Sequence, residues 1–292
     1  MMRPMPFLSS HAASPRAVAA RAARYFRTRS PRYLAGFTAV ALSLLVLCLP
    51  SGYSTEWPGP TRDVLGTVRV DGERRDMIEV EGIETHEDTG RLLLVTISAN
   101  GVPGYPVTNA EVLFAWLMPD RVVTPREAVV PAGQTVEQYR KKSAAQMSGA
   151  QRNAVRAAES FLTGHGYDVD GMEASMSVDD IGGPSAGMMY ALGLIDKVTP
   201  ENETGGETVA GTGTIDADGE VGAIGGVRLK MRAALRDGAA WFLAPASNCD
   251  EVVGYVPEGL RDVKVSTLEE AYEALVAIGE GRGDSLARCA VE

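Results

Sequence analysis

The chain has 292 residues, of which 45% are apolar, and a formal net charge of −10. That is enough apolar sequence for one sizeable folded domain or two small ones, and it excludes a chain too polar to build a core. The charge is uneven: residues 1–55 hold seven arginines and no acid, while the remainder carries −17. An acidic body argues against a nucleic-acid partner.

Residues 1–32 read as a basic cytoplasmic tail. Residues 33–55 carry no charge, and 34–49 are almost entirely apolar. A membrane span needs about 20 such residues and a signal-peptide core about 7–15. No A-x-A site follows Leu49, and Cys48 lacks the small residue expected before a lipidated cysteine. An uncleaved signal anchor over residues 33–53 is therefore favoured over a cleaved peptide. The flanking arginines place the N-terminus in the cytoplasm and the body outside the cell membrane, on a single-pass topology.

Residues 54–63, with Pro58 and Pro60, read as a linker. A domain over 64–282 follows, with its core at about 135–280, and then a polar tail over 283–292. Short β runs are expected at 64–70, 77–80 and 92–98, punctuated by Gly72 and Gly90. A short helix capped by Asn109 and stopped by Pro119 comes next, and 122–130 reads as extended. Thr135 opens a long helix in which Met147, Ala150, Ala154, Ala157, Ala158 and Phe161 recur at helical spacing. Then come a strand at 173–178, a helix at 184–194, a hairpin pairing 209–215 with 220–224, and a helix at 226–236. A strand at 241–244, a short helix after Ser247, a strand at 263–265 and a helix at 268–278 complete the domain. Interleaved strands and helices predict an α/β or α+β class with a mixed sheet.

Two segments carry the chemistry: Gly182-Gly183-Pro184-Ser185-Ala186-Gly187 and Gly225-Gly226-Val227-Arg228-Leu229-Lys230. Gly182 and Gly183 let the backbone turn sharply, and Pro184 suits a first helical position. Ser185 would then sit where free helix amides can hold an oxyanion, with Ala186 and Gly187 small enough for a peptide backbone to approach. A serine needs a base. None of the three histidines follows Ser185, as an α/β-hydrolase order would require, and His86 and His165 read as solvated loop residues. Lys230 alone among five lysines has an apolar, glycine-flanked context, where burial can keep an amine neutral. The alternative is that Ser185 caps a helix and Lys230 is a surface charge. A P-loop motif, C-x-x-C and H-E-x-x-H are all missing from the sequence, and Asp216 with Asp218 reads as a solvated turn. No ATP, metal or other cofactor is expected within the chain.

These motifs resemble those of the Lon proteases, whose proteolytic domains carry a G-P-S-A-G serine and, some forty-odd residues on, a lysine in a G-G-[LV]-x-x-K helix. Here Ser185 and Lys230 are 45 residues apart. Between them Gly211-Thr212-Gly213-Thr214-Ile215 resembles the family's T-G-x-[IL] strand, which puts Thr212 close to the lysine. The resemblance covers residues 64–278 and is firm from Glu173 onward. It is nearest to the membrane-anchored, ATPase-free Lon-like proteases of bacteria, and implies a Lon proteolytic fold, a Ser185–Lys230 dyad supported by Thr212, polypeptide substrates and a homo-oligomeric ring, with a hexamer as the expected form. Two features depart from the pattern. Gly182 stands where ATP-dependent Lon enzymes usually have Asp, with Asp179 and Asp180 further upstream. The interval between Leu162 and Glu173, where such proteins usually carry a PDZ domain, is too short for one. A catalytically weak Lon-like adaptor that binds polypeptides is the second functional reading.

Of the three cysteines, Cys48 falls in the apolar span. Cys249 and Cys289 lie in the body, which this topology exposes to an oxidising space. A disulfide between them is expected, pinning the polar tail to the domain, with two free thiols as the alternative.

Overall fold

The structure is a computed structural model that describes residues 24–70, 72–131, 133–177 and 182–290. It divides into two units, Met1–Pro50 with Thr108–Ala110, and Ser51–Val107 with Glu111–Glu292.

The first unit contains helix α1 (Pro31–Cys48). Ser30 caps it by accepting from the Tyr33 amide at 3.3 Å, and Pro31 occupies the first turn, where a missing N–H costs nothing. None of its side chains is buried, and by length and composition it could cross a membrane. The helix stops at Cys48, so the expected span of 33–53 is too long at its C-terminal end: Tyr53 already belongs to a strand.

The second unit is built on a six-stranded mixed sheet in the order β12-β11-β8-β5-β1-β6. These strands are Arg261–Val265, Trp241–Pro245, Thr208–Gly211, Arg91–Asn100, Tyr53–Asp63 and Val122–Pro125, respectively. Strands β5, β8, β11 and β12 run parallel, while β1 is antiparallel to both β5 and β6. Residues 54–63 are therefore not a linker. Pro58 and Pro60 are tolerated because Pro58 borders, and Pro60 lies within, a register shift in β1. The carbonyls freed there are taken up by side chains: Thr96 Oγ1 donates to Pro60 at 2.6 Å, and Arg236 Nη2 to Gly59 at 2.8 Å.

Parallel strands covered on both faces read as continuous apolar runs, and Leu92-Leu93-Leu94-Val95 of β5 is such a run. Leu92 and Leu94 point to one face, with Val209, Leu243, Val263 and Val265. Leu93 and Val95 point to the other, with Ala210, Phe242 and Ala244. The first face is covered by α4 (Val136–Gly164), α5 (Gly187–Val198) and α8 (Leu268–Gly279). The second is covered by α6 (Val227–Arg236) and α7 (Cys249–Val252). Short helices α2 (Asn109–Trp116) and α3 (Arg126–Val129) lie in the chain between β5 and α4.

Helix α4 opens with a capping box in which Thr135 and Gln138 satisfy each other's backbone amides. Helix α5 is buried nearly all round, which makes it the central element of its layer. Met188, Met189, Leu192, Leu194 and Ile195 are fully enclosed, each worth about 1.5–3 kcal/mol of burial.

Three two-stranded sheets complete the described part of the unit. Strands β2 (Thr67–Val70) and β3 (Glu73–Asp76) pair with each other, as do β4 (Ile78–Glu81) and β7 (Glu173–Met176). The strand expected over 173–178 thus ends at Met176, and its last residue lies outside the described residues. The hairpin expected between 209–215 and 220–224 shrinks to β9 (Thr214–Ile215) with β10 (Val221–Gly222). Its first three residues belong instead to the main sheet as part of β8, because Val209 and Ala210 are apolar enough to be buried on both faces.

Candidate active site

Strand β8 ends at Gly211, and Thr212 follows at its carboxyl end, where its amide still donates to Leu243 of β11 at 3.3 Å. Carboxyl ends of parallel strands are the usual place for a site in such sheets. Thr212 is fully buried. Its hydroxyl donates to the Ser185 carbonyl at 3.0 Å and accepts from Lys230 Nζ at 3.0 Å. The Gly213 amide donates to the same Ser185 carbonyl at 3.0 Å, and the Met188 amide returns a bond to the Gly213 carbonyl at 3.1 Å. One hydroxyl and two backbone bonds thus fasten the serine turn to the strand end and link it to the lysine.

Ser185 is half-buried and lies in the turn just before α5, not inside its first turn as the sequence suggested. Helix α5 begins only at Gly187, so Pro184 stands outside it. The cause is local. Gly183 has φ +92°, a left-handed conformation that interrupts the approach to the helix, and the chain closes a tight turn in which the Gly187 amide donates to the Pro184 carbonyl at 3.3 Å. The Ser185 and Ala186 amides have no hydrogen-bond partner among the described residues. Gly187 permits a close approach: a Cβ there would lie 2.9 Å from Ile215 Cγ2. Gly182 is equally constrained, since a Cβ would fall 1.8 Å from Ser143 Oγ on α4. An Asp at that position does not fit unless Ser143 moves. Asp179 and Asp180 lie outside the described residues.

Lys230 comes from α6, one turn past Gly226, whose φ of +70° sets the entry to the helix. The pattern of α6 turns Val227, Met231 and Ala234 into the core, and Lys230 goes with them at 2% exposure. Its ammonium has no carboxylate partner among the described residues. Burial without a counter-charge disfavours the charged form, and it pulls the amine down from 10.5 to about 7.

One supporting residue gave no signal in the sequence. Asn248 is buried, accepts from the Ile224 amide at 2.9 Å and donates to the Ile224 carbonyl at 2.9 Å, so it holds the loop that leads into the lysine helix. Nothing in a lone Asn after a strand points to this, because its partner is 24 residues upstream. Next to it, Cys249 is joined to Cys289 with a Cα–Cα distance of 4.9 Å. The tail follows the edge of the sheet: the Lys264 amide donates to Ala287 at 2.9 Å, and the Cys289 amide to Asp262 Oδ2 at 2.8 Å.

Residues 148–278 match the family model of the Lon protease (S16) C-terminal proteolytic domain. Over 102 residues the chain is 38% identical to a Lon protease of Clostridioides difficile (strain 630), a stretch covering 34% of this chain and 13% of that protein. Over 99 residues it is 34% identical to Lon protease 2 of Bacillus subtilis (strain 168), which covers 33% of this chain and 17% of that protein. Over these residues the chain is similar to the proteolytic domain of the Lon proteases. It spans less than a fifth of the length of these two relatives.

Proposed function

We propose that this protein is a serine endopeptidase that cleaves polypeptides with a Ser185–Lys230 dyad, without ATP within this chain. The observation that carries the reading is the buried Lys230, held through the Thr212 hydroxyl to the backbone of Ser185. Neutral Lys230 takes the Ser185 proton as Oγ attacks the scissile carbonyl. The Ser185 and Ala186 amides are the donors available to the oxyanion, a contribution of about 3–4 kcal/mol per donor in other hydrolases. Lysine then returns the proton to the leaving amine, and water repeats the sequence on the acyl-enzyme. Thr212 fixes the amine by accepting one N–H, which leaves the nitrogen lone pair for the serine.

Helix α1 tethers the enzyme to the cell membrane, with the arginines of residues 24–32 and of the preceding segment inside and the proteolytic domain outside. Identical subunits assemble as a ring. Ser185→Ala is the direct test: the purified full chain should turn over an unstructured polypeptide, and the variant should not, while both unfold at the same temperature. Equal turnover by the two proteins would remove the dyad from the reading and favour a polypeptide-binding adaptor.

A further inference from the structure

The end of α5 away from Ser185 holds three carboxylates that the proposed chemistry does not use. Asp196 lies in the last turn of the helix, Glu203 and Thr204 in the loop that follows, and Asp88 in the loop before β5. One oxygen from each of Asp88, Asp196 and Glu203 lies within 4.8 Å of the other two. Asp196 and Glu203 are each 2% exposed.

The hydrogen bonding around the cluster is complete on its outside and open on its inside. Asp88 accepts from the Gly90 amide at 2.7 Å, the Thr204 amide at 2.9 Å and the Thr204 hydroxyl. Glu203 Oε1 accepts from Tyr272 at 3.2 Å and from the Thr199 hydroxyl. Among the described residues no donor faces either oxygen of Asp196 or Oε2 of Glu203, and Asp196 meets the Asp88 carboxylate, itself an acceptor. The neighbouring cation is the smallest of the influences on Asp196, since Lys197 Nζ bonds Asp76 at 2.9 Å. The helix adds to the imbalance, because its C-terminal end carries the negative pole of the macrodipole. A buried carboxylate without a counter-charge is expensive. Burial, and after it Asp88 and Glu203, drive the Asp196 carboxyl up to about 9.

We infer that Asp88, Asp196 and Glu203 form a binding site for one divalent cation of the calcium type, set at the C-terminal end of the serine helix. Three oxygens within 4.8 Å of one another fit around a single ion at the 2.3–2.6 Å typical of Ca²⁺. An enclosed, all-oxygen donor set suits Ca²⁺ better than Mg²⁺, which keeps several of its waters. The ion would join three segments: the loop before β5, the end of α5 and the loop leading to β8. Cation and catalysis are separable here, because none of these carboxylates touches Ser185, Thr212 or Lys230.

The test uses the full chain in detergent, stripped with EDTA. Equilibrium dialysis against CaCl₂ should show one Ca²⁺ bound per chain. At roughly a hundredfold excess over Kd, unfolding should shift up by about 5–10 °C, and MgCl₂ should give a smaller shift. Asp196→Asn and Glu203→Gln should each lose the bound ion and the shift, whereas Ser185→Ala should keep both, which separates this site from the proposed dyad. If the wild-type chain binds no Ca²⁺ and unfolds at the same temperature in CaCl₂ and EDTA, the three groups share protons instead and the inference fails. It also fails if Asp196→Asn still binds one ion.

Discussion

Lys230 and Thr212 concentrate the testable chemistry into two side chains. The neutral amine is the competent form, so peptide turnover by the wild-type chain should rise with pH through about 7 and then level off. A profile that is flat from pH 5 to 9 would exclude Lys230 as the base. The linkage has the same direction. Between about 7 and the ordinary lysine value of 10.5 the folded chain holds fewer protons than the unfolded one. This group's contribution to stability therefore grows with pH across that window, and as pH falls through it the contribution is lost, leaving none below about 7. Lys230→Arg keeps a charge that cannot be shed, and its turnover should drop by roughly 10²–10⁴-fold at every pH. Thr212 divides its hydroxyl between the lysine and the serine carbonyl. Thr212→Ser should keep most of the activity. Thr212→Val should leave both partners short of a bond, lower kcat more than it raises KM, and cost about 1–3 kcal/mol in denaturant unfolding.

The loop that leads into helix α6 is held by Asn248, and the neighbouring disulfide holds the C-terminal tail. Asn248→Ala should lower turnover while leaving the substrate KM nearly unchanged, and should speed amide exchange at Ile224 and along the first turn of α6. Unaltered exchange there would show that the loop stands without it. Cys289→Ser opens a 40-residue loop, and urea unfolding should lose about 2–4 kcal/mol, with the tail after Ile278 becoming the first segment cut by added protease. The same elements show what sequence could and could not reveal. Ser185, Thr212 and Lys230 sit in short motifs whose spacing is itself the message, and the long helix after Thr135 declares itself through its cap and its alanine stripe. Strand β1 stayed hidden because its prolines look like breakers until the bulge that admits them is seen. The acidic cluster stayed hidden for a different reason: Asp88 is separated from Asp196 and Glu203 by more than a hundred residues, and each alone reads as a solvated acid.

The proposed topology makes a claim about the entire chain. Protease added to intact cells should remove a C-terminal tag, and a tag on Met1 should survive. The reverse pattern would refute the orientation argued from the arginines. Recovery of a soluble product starting near Ser51 would instead favour a cleaved leader. Strand β1 adds a property that neither sequence nor chemistry suggests, and it is mechanical. The chain enters the folded body at Tyr53 through a strand with antiparallel neighbours on both edges. A pull along the backbone at that entrance loads the two ladders in shear, so their bonds must yield together rather than peel one after another. Force arriving from that side is met by the stiffest direction of the sheet, at the same end of it as Thr212 and the serine turn, with β5 standing between β1 and β8.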